Sequence, residues 1–410
     1  MGEINLEKEI ADLVEWLGSY GADSKGGVSR LLYDENWVKA QDALKDHFDQ
    51  IGLTTRYDEV GNLFAKFEGS ELKDETVATG SHVDSVKFGG KLDGAFGILA
   101  GYLAVKYLKE KYGQPRRNIE VVSFAEEEGS RFPFSFWGSK NIIGKVDANE
   151  VRDLKDQEGI NFVDAMKQAG FTFKTNDDGI PKDWKQWLEI HIEQGAVLEI
   201  EKIPVGIVQH IAGQNRYTVE IKGQANHAGT TPMKYRKDAG VAAGQIISMI
   251  HDQAEAYGDP MVATVGSIEF IPGTVNVVPG QANFTIDIRN THKEQITSFA
   301  DEMLEKMKKI AEEQGCEISY KLYSEEDPVP MDPSVVQSIV EQCDEQNLSY
   351  KLMHSGAGHD TQNIAPLVPS AMIFVPSRGG ISHNPAEYTY PRELAEGVKV
   401  LALALHKLAY

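Results

Sequence analysis

Two short apolar segments, separated by one helical segment, constrain the fold of this chain most strongly. Residues 77–80 and 118–124 have the composition of buried strands, and residues 97–112 between them carry apolar side chains at helical spacing. Both strands end in loops dense in polar and charged residues. This order predicts an α/β protein with a mostly parallel central sheet and helices on both faces. In such sheets, sites lie beyond the carboxyl ends of the strands, where both loops fall.

The middle of the chain has a different order of elements. Four segments alternate between apolar and polar residues, as half-exposed strands do: residues 216–222, 262–270, 281–289 and 316–323. Two segments have helical spacing, residues 237–257 and 293–314. The resulting strand–helix–strand–strand–helix–strand order is the ferredoxin-like pattern. We therefore expect an inserted α+β domain at residues 213–328, and a catalytic domain made of residues 1–212 and 329–410.

The charge and composition of the chain exclude some classes of partner. It carries 41 Lys and Arg residues against 62 Asp and Glu residues, a formal net charge of −21. We expect no nucleic-acid partner, because phosphates need cationic side chains. We expect no membrane partner, because the sequence has no apolar run of about 18 residues. Residues 1–20 are typical of a capped amphipathic helix rather than a signal peptide, and Cys316 and Cys343 fit no disulfide or metal motif, which favours a cytoplasmic location.

The loop after the first strand offers a metal ligand and a partner for it. In the segment GSHVD, His82 stands at the strand end, and Asp84 is placed to accept a hydrogen bond from its second ring nitrogen, which would fix the tautomer. A lone histidine more often packs or hydrogen-bonds than binds a metal. Asp93 lies among glycines just before the helix, where it can bridge two cations. The alternative role for Asp93 is to cap the helix.

Three further segments carry side chains of the ligand type. Three adjacent carboxylates, including Glu127 and Glu128, follow the second strand, where a metal ligand beside a general base is one interpretation and an acidic surface turn is another. His191 lies in an alternating strand, and His383 lies in a glycine-flanked segment near the end of the chain. This mixture of nitrogen and oxygen ligands suits zinc, manganese or cobalt. The five segments in this order are more specific than any one of them.

Together these residues resemble the dinuclear metallohydrolases of the zinc aminopeptidase-like fold, and specifically their amidase/hydantoinase/carbamoylase branch. The resemblance implies two divalent ions per subunit, Mn²⁺ or Zn²⁺, with Co²⁺ also suitable. The ligands it implies are His82 and His191 for one ion, Glu128 and His383 for the other, and Asp93 as the bridge. It makes Glu127 the general base for the metal-bridging water.

The resemblance extends to the inserted domain and to the substrate pocket. His227, in the segment GQANHAGTTP, is implied to reach across a homodimer and stabilise the oxyanion in the partner's site, so that the insert is both lid and dimer interface. The alternative is a turn histidine. Arg289 suits a carboxylate because its planar fork binds both oxygens, and Asn276 suits a ureido group. The other residues implied to line the pocket are Gln194, Gln214, Arg216, Gly358 and His359.

Longer segments favour one substrate within this branch. Residues 125–144, 353–360 and 372–387 resemble those of the bacterial members that hydrolyse allantoate, whereas carbamoylases usually have glycine in place of Pro133. The resemblance covers essentially the whole chain. It implies hydrolysis of allantoate to ureidoglycine, ammonia and carbon dioxide. The alternatives are an N-carbamoyl-L-amino acid hydrolase or β-ureidopropionase, an aminopeptidase or dipeptidase, and a non-catalytic binding protein.

Overall fold

The structure, a computed structural model, describes residues 5–175 and 179–410, so the first four residues of the expected N-terminal helix lie outside it. The chain divides into two compact units. Unit 1 comprises Met1–Gln209 and Met331–Tyr410, and unit 2 comprises His210–Pro330. The insert expected at residues 213–328 falls inside unit 2. Among the described residues, no helix is long and apolar enough to cross a membrane.

The helices and strands are numbered in chain order. The helices are α1 (Leu6–Gly18), α2 (Glu35–Gln50), α3 (Ala95–Tyr112), α4 (Trp137–Ile142), α5 (Ala148–Val151), α6 (Phe162–Gln168), α7 (Val197–Glu201), α8 (Ala239–Tyr257), α9 (Lys293–Glu313), α10 (Pro333–Glu345), α11 (Thr361–Ile364) and α12 (Pro391–Ala409). The strands are β1 (Thr54–Tyr57), β2 (Leu63–Phe67), β3 (Leu72–His82), β4 (Arg117–Phe124), β5 (Trp184–Ile192), β6 (Val205–Ile211), β7 (Gly213–Lys222), β8 (Asn226–His227), β9 (Val262–Ile271), β10 (Val277–Val278), β11 (Gln281–Asn290), β12 (Glu317–Glu326), β13 (Val329–Pro330), β14 (Tyr350–Ser355) and β15 (Ser370–Val375).

The sheet of unit 1 has four parallel strands at its centre, β4, β3, β5 and β15 in that order. Antiparallel strands extend it on both sides, with β2 and β1 beyond β4, and β6 beyond β15. Alternate residues of β4 face two layers of helices. Val121 lies against Gly101 of α3, whereas Val122 belongs to a buried cluster with Ile142 of α4 and Ile364 of α11. The α/β fold class predicted from the sequence is confirmed.

The parallel centre brings four strand ends to one edge of the sheet. β3 ends at His82, β4 at Phe124, β5 at Ile192 and β15 at Val375. Since parallel strands share a direction, the segments that follow them meet at this edge. Every segment of unit 1 that carries a predicted metal ligand begins at one of these strand ends, which places the candidate site there.

Unit 2 contains a four-stranded antiparallel sheet in the order β12-β7-β11-β9. The alternating residues of β7 and β11 place one apolar face against the two helices. Val219 and Ile286 lie in one buried core with Ile246 of α8 and Phe299 of α9. The β-α-β-β-α-β order predicted for this part of the chain is present. Val329–Pro330 of β13 pairs with His210 and Ile211 at the end of β6, so the segments that lead into and out of unit 2 lie side by side.

Candidate metal centre

The carboxylate of Asp93 lies at the centre of a mostly buried cluster at the carboxyl edge of the unit 1 sheet. Its Oδ1 lies 3.2 Å from Nε2 of His191 and 3.6 Å from Nε2 of His82. Its Oδ2 lies 3.0 Å from Nε2 of His383, which in turn lies 3.3 Å from Oε1 of Glu128. Side chains from separate loops and strand ends thus converge on one carboxylate.

Ligand-type atoms in this cluster fall into three overlapping groups. In each group they lie within 4.8 Å of one another. The groups are His82, Asp93 and His191; His82, Glu127 and Glu128; and Asp93, Glu128 and His383. The structure therefore brings together all five ligands implied by the resemblance and the implied base, Glu127. Asp93 is shared by the first and third groups, the position a bridging ligand requires.

The hydrogen bonds of two histidines show that the cluster fits cations. Nδ1 of His82 lies 3.2 Å from Oδ1 of Asp84, and Nδ1 of His191 lies 2.9 Å from the carbonyl oxygen of Ile192. Both partners only accept, so each Nδ1 carries a proton, and in a neutral ring Nε2 keeps the lone pair that a metal ligand needs. Nε2 of His191 accepts a hydrogen bond from the backbone N–H of Gly94 at 3.0 Å. Imidazole nitrogens and carboxylate oxygens gathered at these distances form a donor set that a divalent cation fits.

The electrostatics of the cluster agree with this fit. Burial raises the pKa of Glu127 well above its ordinary value, and the carboxylate of Glu128 raises it further, against the effect of His82. The nearby carboxylates of Asp93 and Glu128 raise the pKa of His383 to about 10. Oε1 of Glu128 is buried and accepts no well-formed hydrogen bond from residues in the described ranges. The carboxylates thus attract positive charge that the described side chains only partly supply.

Asp84 connects the histidine side of the cluster to the glutamate side. Besides its contact with His82, its Oδ1 accepts a hydrogen bond from the backbone N–H of Glu127 at 3.0 Å. Its Oδ2 accepts one from the backbone N–H of Glu128 at 3.2 Å. Asp84 is buried, so it sets the orientation of one imidazole and of the loop that carries both glutamates.

Glu387 supports the cluster, and the sequence reasoning gave it no role. Its Oε1 accepts hydrogen bonds from the backbone N–H groups of Leu92 and Asp93 at 2.9 and 3.1 Å. Oγ of Ser382 donates to its Oε2 at 2.9 Å and lies 3.2 Å from Oδ2 of Asp93. Glu387 therefore holds the loop that presents Asp93. The available signal was its position in the same glycine-flanked segment as His383.

Two other buried charged residues support the loops around the cluster. Glu126, to which the resemblance gave no role, accepts hydrogen bonds from the backbone N–H groups of Gly129 and, at 3.2 Å, Trp137, which hold the loop after β4. The guanidinium of Arg30 donates to the carbonyl oxygens of Val83 at 2.5 Å and Leu17 at 2.9 Å, which holds the loop after β3. No sequence pattern distinguishes Arg30 from a solvated arginine.

Three predicted pocket residues of unit 1 lie at this cluster or beside it. Nε2 of Gln194 donates to Oδ2 of Asp93 at 3.1 Å, and its amide oxygen is buried without a partner among the described residues. The ring of His359 packs on that of His191 with centroids 4.6 Å apart. A Cβ added to Gly358, immediately before His359, would lie 2.7 Å from Oε1 of Gln362 and 3.1 Å from Cζ of Phe136, so a larger residue there would require these side chains to shift.

The two predicted arginines of unit 2, Arg216 and Arg289, both donate to the carboxylate of Asp287. The sequence analysis assigned Asp287 no role of its own. Oδ2 of Asp287 accepts a hydrogen bond from Nε of Arg216 at 2.8 Å, and Oδ1 accepts one from Nε of Arg289 at 2.9 Å. Gln214 pairs with Arg289 across strands β7 and β11. Both arginines line a cavity of about 380 Å³ that Tyr323 also borders.

His227 and Asn276, also in unit 2, are brought together by the short pairing of β8 with β10. The N–H of Ala228 donates to the carbonyl oxygen of Asn276 at 2.9 Å. His227 is exposed, and its Nδ1 accepts hydrogen bonds from the N–H groups of Gly229 and Thr230 at 3.0 and 3.3 Å. In the neutral ring the proton therefore sits on Nε2, which leaves His227 ready to donate a hydrogen bond.

The fold and the cluster agree with the similarity of this chain to known proteins. The model of peptidase family M20/M25/M40 matches residues 78–407, and the chain belongs to this family. It is 48% identical over 406 residues to allantoate amidohydrolase of Escherichia coli (strain K12), covering 99% of both chains. It is 43% identical over 408 residues to allantoate amidohydrolase of Bacillus subtilis (strain 168), covering 100% of this chain and 99% of that one. A crystal structure of an amidase of the hydantoinase/carbamoylase family from Burkholderia multivorans has a TM-score of 0.94 at 31% identity, with 98% of each chain covered.

The contacts of Asp84 predict a loss of metal affinity on substitution. In Asp84→Asn, an amide NH₂ replaces one acceptor oxygen. At least one of the three N–H groups that donate hydrogen bonds to Asp84 therefore loses its partner. We expect the affinity for Mn²⁺ or Zn²⁺ to fall by about 10- to 100-fold. Equilibrium dialysis of the metal-free protein, followed by elemental analysis, measures this. Asp12→Asn on the exposed face of α1 is the matched control. Unchanged metal affinity in Asp84→Asn would show that Asp84 does not orient the ligands.

Proposed function

We propose that this protein is an allantoate amidohydrolase that uses two divalent ions. It hydrolyses one ureido arm of allantoate to give ureidoglycine, ammonia and carbon dioxide. The single observation that carries the proposal is the cluster around Asp93, in which ligand-type atoms form two sets joined by one carboxylate. The full-length identity to two allantoate amidohydrolases supports allantoate as the substrate.

The two ions have separate sets of ligands in this proposal. His82 and His191 would hold one ion, Glu128 and His383 would hold the other, and Asp93 would contact both. The mixed imidazole and carboxylate set suits Mn²⁺, Zn²⁺ or Co²⁺. When bound, the ions polarise the ureido carbonyl and lower the pKa of the attacking water.

Glu127 is the general base in this proposal. Its carboxylate belongs to the same group of atoms as those of His82 and Glu128. Because its pKa is raised by burial, Glu127 holds a proton more readily than an exposed glutamate does. It takes the proton of the attacking water and passes it to the leaving nitrogen as the C–N bond breaks. Carbamate is released and decomposes to ammonia and carbon dioxide.

The remaining polar residues are assigned to the other parts of allantoate. Arg289 takes the substrate carboxylate, and Asp287 holds the plane of its guanidinium by accepting from Nε and, at 3.1 Å, from Nη2. Arg216 is oriented by the same carboxylate. Asn276 and Gln194 can both donate to and accept from a ureido group. The other residues that the resemblance assigns to the substrate are Gln214 in unit 2, and Gly358 and His359 in unit 1.

An N-carbamoyl-L-amino acid hydrolase is the main alternative, because such enzymes need the same ions, base and carboxylate clamp. A relative with that activity in its name, from Pseudomonas sp. (strain NS671), is 35% identical to this chain, less than the two allantoate amidohydrolases. The two activities differ in the substrate group on the α-carbon, which is a second ureido arm in allantoate and an amino acid side chain in the alternative.

Steady-state rates with three substrates test the proposed function. We expect kcat/KM for allantoate to exceed that for N-carbamoyl-β-alanine and N-carbamoyl-L-methionine by at least about ten-fold, because only allantoate carries two ureido arms. Chelation should abolish turnover, and Mn²⁺ or Zn²⁺ should restore it. If allantoate is the poorest of the three substrates, the proposed activity is wrong, although the metal centre would stand if chelation still removed activity.

We also propose that the protein is a homodimer assembled through unit 2. Strand β9 lies at one edge of the four-stranded sheet. Its C-terminal half carries exposed apolar side chains, among them Ile268, Phe270 and Ile271. A long exposed apolar edge strand is a surface that proteins normally cover. In this proposal the partner's His227 donates from Nε2 to the oxyanion formed on the substrate.

Mixing two inactive variants tests the shared site. Glu127→Gln removes the base, and His227→Ala removes the oxyanion donor. If the partner supplies His227, each mixed dimer contains one site with both residues intact and should recover about half of the wild-type dimer rate. Heterodimers purified with two different affinity tags, and assayed with allantoate, give the measurement. No recovery in confirmed heterodimers would mean that His227 does not act in the partner's site.

A further inference from the structure

The backbone of Phe136 has a conformation that large side chains rarely adopt. Its φ is +65° and its ψ is +31°, in the left-handed region. A bulky residue in this region is uncommon and is often found at functional sites, where neighbouring contacts hold it in place. Here the backbone N–H of Phe136 donates to the carbonyl oxygen of Glu127 at 2.8 Å, and its own carbonyl oxygen accepts from the N–H of Lys140 at 2.9 Å. A backbone hydrogen bond thereby links Phe136 directly to Glu127, the proposed base.

The ring of Phe136 reaches the other side of the candidate metal centre. A Cβ added to Gly358 would lie 3.1 Å from Cζ of Phe136, so the tip of the ring abuts this glycine. The next residue, His359, packs its ring on His191. The Nζ atom of Lys140 lies 5.5 Å from the ring centroid, and the side chain is only half-buried. The tip of the ring therefore lies against Gly358, and hydrogen bonds with Glu127 and Lys140 hold the backbone of Phe136. Part of the ring surface stays open.

The chemistry of the substrate suggests what this ring contacts. When one ureido arm of allantoate lies beside Glu127, the second arm, which is attached to the same carbon, must lie close by. A ureido group is planar and polar, and an aromatic face receives such a group by stacking, as it does for guanidinium groups and bases. An aliphatic amino acid side chain has no such flat face.

We propose that Phe136 is a specificity-determining residue whose ring stacks on the ureido arm of allantoate that is not hydrolysed. The inference rests on the proposed function and extends it to the choice between ureides and N-carbamoyl amino acids. The tip of the ring lies against Gly358, a residue of the proposed pocket, and the backbone hydrogen bond to Glu127 links this stacking surface to the base. A Cβ at Gly358 would press on the ring as well as on Oε1 of Gln362.

Phe136→Leu tests the proposal, because it keeps an apolar side chain and removes the flat face. With the wild type and this variant, kcat/KM is measured for allantoate and for N-carbamoylglycine, which has no second ureido arm. We expect the value for allantoate to fall by about ten-fold, mainly through KM, and the value for N-carbamoylglycine to change by less than about two-fold. Phe136→Tyr, which keeps the face, should retain the wild-type ratio.

Phe134→Leu is the matched control, since the ring of Phe134 also lies under Lys140, 4.8 Å from Nζ, and is half-buried. It should leave both values unchanged. Equal losses with both substrates in Phe136→Leu, or no loss with allantoate, would overturn the proposal. Should Phe136→Leu fail to fold, Phe136→Met is used, and it should lower the allantoate value selectively because it also lacks the flat face. Failure of the proposed function is distinguishable, because it appears in the wild type as absent allantoate turnover.

Discussion

The concentration of carboxylate and imidazole groups around Asp93 is the constraint on which the rest of the site depends. Three Nε2 atoms lie within 3.6 Å of its two oxygens, and two of them present lone pairs when their rings are neutral. Burying such a group without a counter-charge is costly. Backbone N–H groups hold the surrounding loops through Asp84 and Glu387, and a bound cation would offset the repulsion among these charges, which is the basis of the metal affinity that we propose.

The central parallel strands explain how distant segments form this cluster. His82 and His191 lie on β3 and β5, neighbouring strands in the sheet, and Glu128 follows β4 on the other side of β3. Long-range hydrogen bonds then hold the loops that carry these ligands in place. Asp84 joins the loop after β3 to that after β4, and Glu387 joins the loop of Asp93 to the C-terminal segment. The positions of the metal ligands therefore depend on a few buried carboxylates that need not touch the substrate.

The sequence predicts the elements well because apolar periodicity reports the face that each element buries. The segments expected as strands and helices in unit 2 agree with β7, β9, β11 and β12 and with α8 and α9 to within a few residues, whereas the two-residue strands β8 and β10 were not predicted. The polar residues at the ends of strands were also found, because a histidine or a run of glutamates stands out there. The roles of Glu387, Arg30 and Asp287 could not be predicted, since their partners are distant backbone groups or arginines whose alignment only the folded chain determines. The left-handed backbone of Phe136 could not be predicted either, because phenylalanine is not a residue type that favours this conformation.

The most direct test of the metal centre is anomalous diffraction from crystals grown with Mn²⁺ and measured at the manganese absorption edge. We expect two anomalous peaks in each subunit, one beside His82 and His191 and the other beside Glu128 and His383, with Asp93 in contact with both. A single peak, or peaks that do not touch Asp93, would rule out a two-ion centre bridged by Asp93.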